Sequence, residues 1–226
     1  MSGDRTLSIR DIPSPNRDPR PAGVAIDTVV IHYTGMRSAA EALARLCDPE
    51  AKVSAHYCID EDGSVTRLVP EELRAWHAGV SSWRGDSDIN GRSIGIELVN
   101  PGHEYGYRPF PEAQMAALIA LLRDILRRHP IPPSRILGHS DVAPARKTDP
   151  GELFDWARLA RAGIGLWPDE TAAISSSGPG DPSPAAPEVQ SLLAAFQRHF
   201  RPGRADGVAD GETLARLRWL AGRAMA

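Results

Sequence analysis

Apolar and polar positions follow two rhythms along this chain. From Ala25 to Tyr33 (AIDTVVIHY) β-branched residues run almost unbroken and stop at Thr34-Gly35, the mark of a buried strand. Ser38 followed by Glu41 has capping-box spacing and predicts a helix through Leu46. His56 to Ile59 and Val65 to Val69, joined through Glu61-Asp62-Gly63, predict two strands and a tight turn. Ser93 to Val99 (SIGIELV) predicts another strand. The rhythm then lengthens: Met115, Leu118, Ile119, Leu122, Ile125 and Leu126 share one helical face, with Pro111 suited to the first turn and His129-Pro130 ending the helix. Arg135 to Gly138 predicts a last short strand that runs into a polar loop. Strands and helices in this irregular alternation imply an α/β domain, a mixed central sheet flanked by helices.

Residues 168–187 (PDETAAISSSGPGDPSPAAP) break the pattern: rich in Ser, Gly and Pro, they lack the apolar groups that repay ordering and read as a linker. The expected organisation is a polar, Pro-rich extension over 1–22, a main domain over 23–167, and a small helical appendage over 188–226. In the appendage, Val189, Leu192, Leu193, Phe196 and Phe200 fit one helical face, and Leu214, Leu217 and Leu220 fit another opened by Asp210 and Thr213. A piece of about 40 residues is marginal as an independent fold, so it is expected to dock on the main domain or close a very small bundle.

Composition narrows the function classes. With 226 residues, 42% apolar and 24% charged, the chain is ordinary globular protein. The net charge of −3 offers no basic excess for gripping a phosphate backbone, so no nucleic-acid partner is expected. No apolar run approaches the roughly 18 residues of a membrane span. No basic stretch followed by an apolar one opens the chain, so a cytoplasmic location is expected. Cys47 and Cys58 are too few for a disulfide framework and read as reduced thiols.

The densest polar cluster is the loop Gly138-His-Ser-Asp-Val-Ala-Pro-Ala-Arg-Lys-Thr-Asp-Pro-Gly151. A further histidine, His32, ends the first predicted strand. Catalytic zinc takes three protein ligands and keeps a position for water. His32, His139 and Asp149 could supply such a set if strand end and loop meet; residue types alone also fit a hydrogen-bonded core histidine and a solvated loop.

Four segments occur in a telling order: His32-Tyr33-Thr34-Gly35, Trp76-His77-Ala78-Gly79, Ser93-Ile94-Gly95-Ile96-Glu97-Leu98, and the loop from His139 to Gly151. Together they resemble the zinc-dependent N-acetylmuramoyl-L-alanine amidases of the type 2 class, which share a fold with peptidoglycan recognition proteins. The resemblance spans residues 23–160 and implies that His32, His139 and Asp149 hold one Zn2+ per chain, with Glu97 and Lys147 as catalytic groups. Glu97 then handles the proton of the attacking water and Lys147 steadies the oxyanion. Trp76 and His77 would line the substrate groove, although Trp76 suits a packing role equally. Asn90 could bond sugar or peptide, or simply shape a turn.

The implied reaction is cleavage of the amide between the lactyl group of N-acetylmuramic acid and L-Ala of the stem peptide, by a monomer acting on muropeptides. A cytoplasmic enzyme would meet imported wall fragments carrying a 1,6-anhydro sugar, which implies recycling. The acidic loop Arg84-Gly85-Asp86-Ser87-Asp88 and the appendage, which resembles a shortened peptidoglycan-binding module, point instead to envelope enzymes, so ordinary muramyl peptides stay in view. A muropeptide sensor without activity is the rival, disfavoured by the complete ligand set; a zinc peptidase is disfavoured because no His-Glu-x-x-His helix is present. His56 reads as a packed or backbone-bonded histidine, and His103, His129 and His199 read as surface residues.

Overall fold

The β-branched run forms strand β3 (Thr28–Tyr33), the fifth strand across a six-stranded mixed sheet in a computed structural model that describes residues 7–168 and 186–224. The other strands are β1 (Ile9–Asp11), β2 (Arg17–Pro19), β4 (Tyr57–Ile59), β5 (Val65–Arg67), β6 (Leu73–Ala75), β7 (Ser93–Leu98) and β8 (Ile136–Gly138). The order across the sheet is β1-β5-β4-β7-β3-β8, and β2 pairs with β6 in a separate two-stranded sheet. Strands β4, β7, β3 and β8 run parallel, while β5 is antiparallel to β4.

Successive side chains of a strand face opposite sides of its sheet. On one side Val29, Ile31, Tyr57, Ile59, Ile94, Ile96, Leu98 and Ile136 form a single core with Met115, Leu118, Leu121, Leu122 and Ile125. Those last residues belong to α4 (Glu112–Arg128), which begins after Pro111 and ends at His129 as the sequence predicts. Gln114 reaches from this helix to the sheet, its Nε2 donating to the carbonyls of Ile59 (2.9 Å) and Val99 (3.0 Å) where β4 and β7 end. The opposite face carries Val30 and Leu137 under Ala78 and Ile89, and Cys58 beside Leu46 of α1 (Ala39–Leu46). Ser38 caps α1, its hydroxyl accepting from the Glu41 N–H at 3.2 Å.

The segment read as an extension is woven into the fold. β1 pairs with β5 and β2 with β6, and Arg20 is held by four backbone carbonyls, those of Glu71, Asn90, Gly91 and Ser93. Strands of three residues with mostly exposed side chains carry no readable alternation. Short helices α2 (Ile89–Arg92), α3 (Gly102–Tyr105), α5 (His139–Val142) and α6 (Trp156–Arg161) also lie in stretches the sequence left as loops. Apart from Pro168, Ala186 and Pro187, the predicted linker lies outside the described residues. The appendage forms α7 (Pro187–Phe200) and α8 (Gly211–Ala224), joined by a turn in which buried Gln197 bonds the Val208 carbonyl and Thr213. Among the described residues no helix is long and apolar enough to cross a membrane.

Two histidines read as surface residues are not. His129 bonds the buried Glu71, which also accepts from Arg128 and from the Tyr57 hydroxyl (2.7 Å), tying the end of α4 to the sheet. His199 is buried against α5. Burial alone would raise the Glu71 carboxyl, but these donors outweigh it and bring it down to about 2. Its stabilisation is therefore complete above the ordinary glutamate range and lost as pH falls from about 4.5 toward 2, on the order of 3 kcal/mol. Thermal unfolding across that window is expected to show a steep loss of stability in the wild type and a flatter profile in E71Q. Equal slopes would contradict the assignment.

Candidate metal centre and active site

Strand register builds the site. His32 pairs with Glu97 across β3 and β7, and Glu97 pairs with Cys58 across β7 and β4. On the other flank Ile31 pairs with Gly138, so His139 follows as the next residue beyond β8. Cys58, Glu97, His32 and His139 thus form one row on one face, at the carboxyl ends of parallel strands, where ligands of open α/β sheets bind. The loop after α5 returns Asp149 to this row, the Ser140 N–H donating to the Asp149 carbonyl at 2.9 Å.

Three donor atoms converge. His32 Nδ1 and His139 Nδ1 are 3.0 Å apart, and Asp149 Oδ2 is 3.1 Å from each. All three residues are buried. The hydrogen bonds behind them fix which ring nitrogens carry protons. The Ser93 hydroxyl donates to the Ile89 carbonyl, so its oxygen accepts from His77 Nε2–H at 3.1 Å. Burial, then the neighbouring imidazole of His32, pushes His77 well below the ordinary histidine range, so it is neutral and its Nδ1 is an acceptor. His32 Nε2–H donates to that atom at 3.1 Å. Burial and the His139 ring bring His32 down to about 4, which leaves its Nδ1 a bare lone pair at neutral pH. His139 Nε2–H donates to the Ala78 carbonyl at 3.1 Å, so its Nδ1 is the ring nitrogen turned toward the other two donors. Two imidazole nitrogens and a carboxylate oxygen therefore face one another, with both ring Nε2–H groups committed elsewhere. Such an arrangement fits a cation and suits zinc by donor type.

The motif around Trp76 is thereby explained from behind the ligands. His77 is buried at 9% exposure with both ring nitrogens committed, and it backs His32 instead of facing a groove. Asn90 Oδ1 accepts from the backbone N–H groups of His77 (3.1 Å) and Ala78 (2.8 Å), holding this segment in place. Trp76 is half-buried, its backbone bonded to Ser54. Gly95 explains itself the same way: a Cβ there would lie 2.4 Å from His77 Cγ.

Glu97 stands beside the triangle. Its Oε2 is buried and has no hydrogen-bond partner among the described residues. Burial, reinforced by the Asp149 carboxylate, pushes the carboxyl well above its usual range, and Lys147 pulls it partly back. A buried carboxyl raised in this way is suited to holding and passing on a proton. Burial and Glu97 push the Cys58 thiol up, and Cys58 stands outside the set of convergent donors. Lys147, half-buried, approaches from the loop and acts electrostatically on both Glu97 and His32. A concavity of about 1870 Å3 opens elsewhere, between β5 and α4, and contains none of these residues.

Residues 22–152 match the family described as N-acetylmuramoyl-L-alanine amidase. The chain belongs to this amidase family. It is 38% identical to the N-acetylmuramoyl-L-alanine amidase AmiD of Escherichia coli, over 84% of this chain and 80% of that protein. It is 37% identical to the 1,6-anhydro-N-acetylmuramyl-L-alanine amidase AmpD of Enterobacter cloacae, over 68% of this chain and 89% of that one. The solved complex of E. coli AmiD with the substrate anhydro-N-acetylmuramic acid-L-Ala-D-gamma-Glu-L-Lys superposes with a TM-score of 0.79 at 36% identity, over 90% of this chain and 92% of that chain.

In this amidase the space opened by Gly95 is what lets His77 set the His32 ring. G95A is expected to lose about 1–3 kcal/mol of stability through overpacking and roughly tenfold or more in zinc affinity through the displaced ring. Thermal unfolding of chelated and zinc-loaded protein separates the two effects. A zinc-induced shift equal to that of the wild type would contradict the role given to His77.

Proposed function

We propose that the chain hydrolyses the amide between the lactyl group of N-acetylmuramic acid and L-Ala of the stem peptide, with 1,6-anhydro-muropeptides among its substrates, as a recycling amidase. The observation that carries this reading is the triangle of buried, convergent donors beside a carboxyl raised by burial. The sugar assignment leans on AmiD, whose complex holds an anhydro substrate at high structural similarity.

His32, His139 and Asp149 would hold one Zn2+, the family's metal and the one that two imidazoles and a carboxylate suit. When bound, zinc lowers the pKa of a water toward about 7 and polarises a carbonyl. Glu97 takes the water's proton and returns it to the leaving nitrogen, a task matched to its raised pKa and worth roughly 10²–10⁴-fold. Lys147 supplies positive charge on the side of the developing oxyanion, where preorganised charge is worth most. Trp76 provides a half-exposed aromatic wall, while His77 and Asn90 serve the site by holding His32 and the Ala78 carbonyl. The intact triangle and the unpartnered Glu97 favour catalysis over sensing.

Zinc-loaded protein given anhydro and reduced, non-anhydro muropeptides together is expected to release free stem peptide beginning at L-Ala, from the anhydro form first. No release from either form, read by mass spectrometry, would defeat the proposal. E97A is expected to keep its zinc and lose roughly 10²–10⁴-fold in turnover. Full turnover with zinc bound would remove Glu97 from the mechanism.

A further inference from the structure

The appendage meets the main domain at a polar contact. His199 lies near the end of α7 and is 3% exposed. Its Nδ1–H donates to Asp141 Oδ2 at 2.7 Å, and the two side chains are only 4% and 7% exposed. Its ring stacks on Trp156 with centroids 3.7 Å apart and an interplanar angle of 16°. Nε2 is buried and has no partner among the described residues. A helix that only needed anchoring could have used an apolar side chain at this position. A buried imidazole with one nitrogen unpartnered is retained against a cost, and its single polar contact is the one to Asp141.

Asp141 is the residue that holds the turn carrying His139. The same Oδ2 accepts the Gly138 N–H at 2.7 Å, closing the start of α5, whose first residue is His139. Trp156, on the other side of the His199 ring, packs toward Gly138: a Cβ on Gly138 would lie 3.2 Å from its Cζ2 and 2.7 Å from Cδ of Pro150, the neighbour of Asp149. His199 therefore touches two supports of the turn that carries His139, Asp141 through a hydrogen bond and Trp156 through a stacked ring.

We propose that His199 is a positioning residue for the metal centre: by holding Asp141 it fixes the turn that aims His139, so the appendage is part of the catalytic unit. The inference rests on the reading of His32, His139 and Asp149 as metal ligands. Without the Nδ1–H, the Asp141 carboxylate keeps only the Gly138 N–H in a buried setting, and the turn gains freedom to rotate. Outer partners of metal ligands typically carry 10–100-fold in metal affinity.

Three full-length variants separate this from simple docking. H199F keeps a stacked ring and loses the donor; H199N offers an amide N–H near the place of Nδ1; H199Q offers one near the place of Nε2. Zinc affinity is measured by competition with a chelator, alongside the thermal midpoint of the zinc-free protein. H199F is expected to weaken zinc binding by about 10–100-fold, and H199N to recover most of that loss. If H199F does not fold, H199N is expected to bind zinc more tightly than H199Q. Zinc binding by H199F equal to wild type, or by H199N equal to H199Q, overturns the proposal even where thermal midpoints differ. Failure of the underlying metal reading looks different: wild type binds no zinc, or H139A binds it as well as wild type, and then both readings fall.

Discussion

The parallel pairing of β3 with β7, which sets His32 opposite Glu97, is the constraint on which the rest of the site depends. It is enforced from the other face of the sheet, where Val29, Ile31, Ile94, Ile96 and Leu98 are fully buried against α4. A slip of one residue in either strand would turn those side chains outward and carry the imidazole or the carboxyl into the core. Register, usually a matter of stability, thus decides here which groups can do chemistry together. The same alternation extends the row to Cys58 on one flank and brings His139 to the other.

Burying so many polar groups is tolerable because nearly all are satisfied in one direction. Carbonyls of Ile89 and Ala78 can only accept, and this sends protons away from the site through Ser93, His77 and the Nε2 atoms of His32 and His139. What remains at the centre is a set of acceptors whose mutual repulsion a divalent cation relieves. Beside it, Glu97 keeps a buried oxygen with no partner among the described residues, and burial raises its proton affinity. Stability is given up at this one row and recovered in the apolar layer beneath it.

How much of this could be read from the chain depends on how local each signal is. β3, β7 and α4 were legible because their periodicities run over whole elements, and the loop from His139 to Gly151 because its residues cluster in sequence. β1 and β2 are three residues each and mostly exposed, so no alternation marks them. The contacts of His77 and Asn90 were hidden because a buried ring and a ring facing substrate have the same sequence signature; only the bonds to His32 and Ala78 show where they sit. His199 sits among the residues of an amphipathic helix, and its partner Asp141 is 58 positions away, beyond any local pattern. The acidic loop after Arg84 was read as a clue to substrate, yet Asp86 pairs with Arg92 and Arg135, and Asp88 caps α2 and pairs with Arg74. Its charge is spent within the fold.

X-ray absorption spectroscopy at the zinc edge, on the full chain loaded with one equivalent of zinc, tests the central claim most directly. The row predicts nitrogen and oxygen donors at about 2.0–2.2 Å with the outer-shell scattering of two imidazoles, and no sulfur. A sulfur shell near about 2.3 Å, or a spectrum without imidazole scattering, would contradict the account, since it would place the metal away from His32, His139 and Asp149.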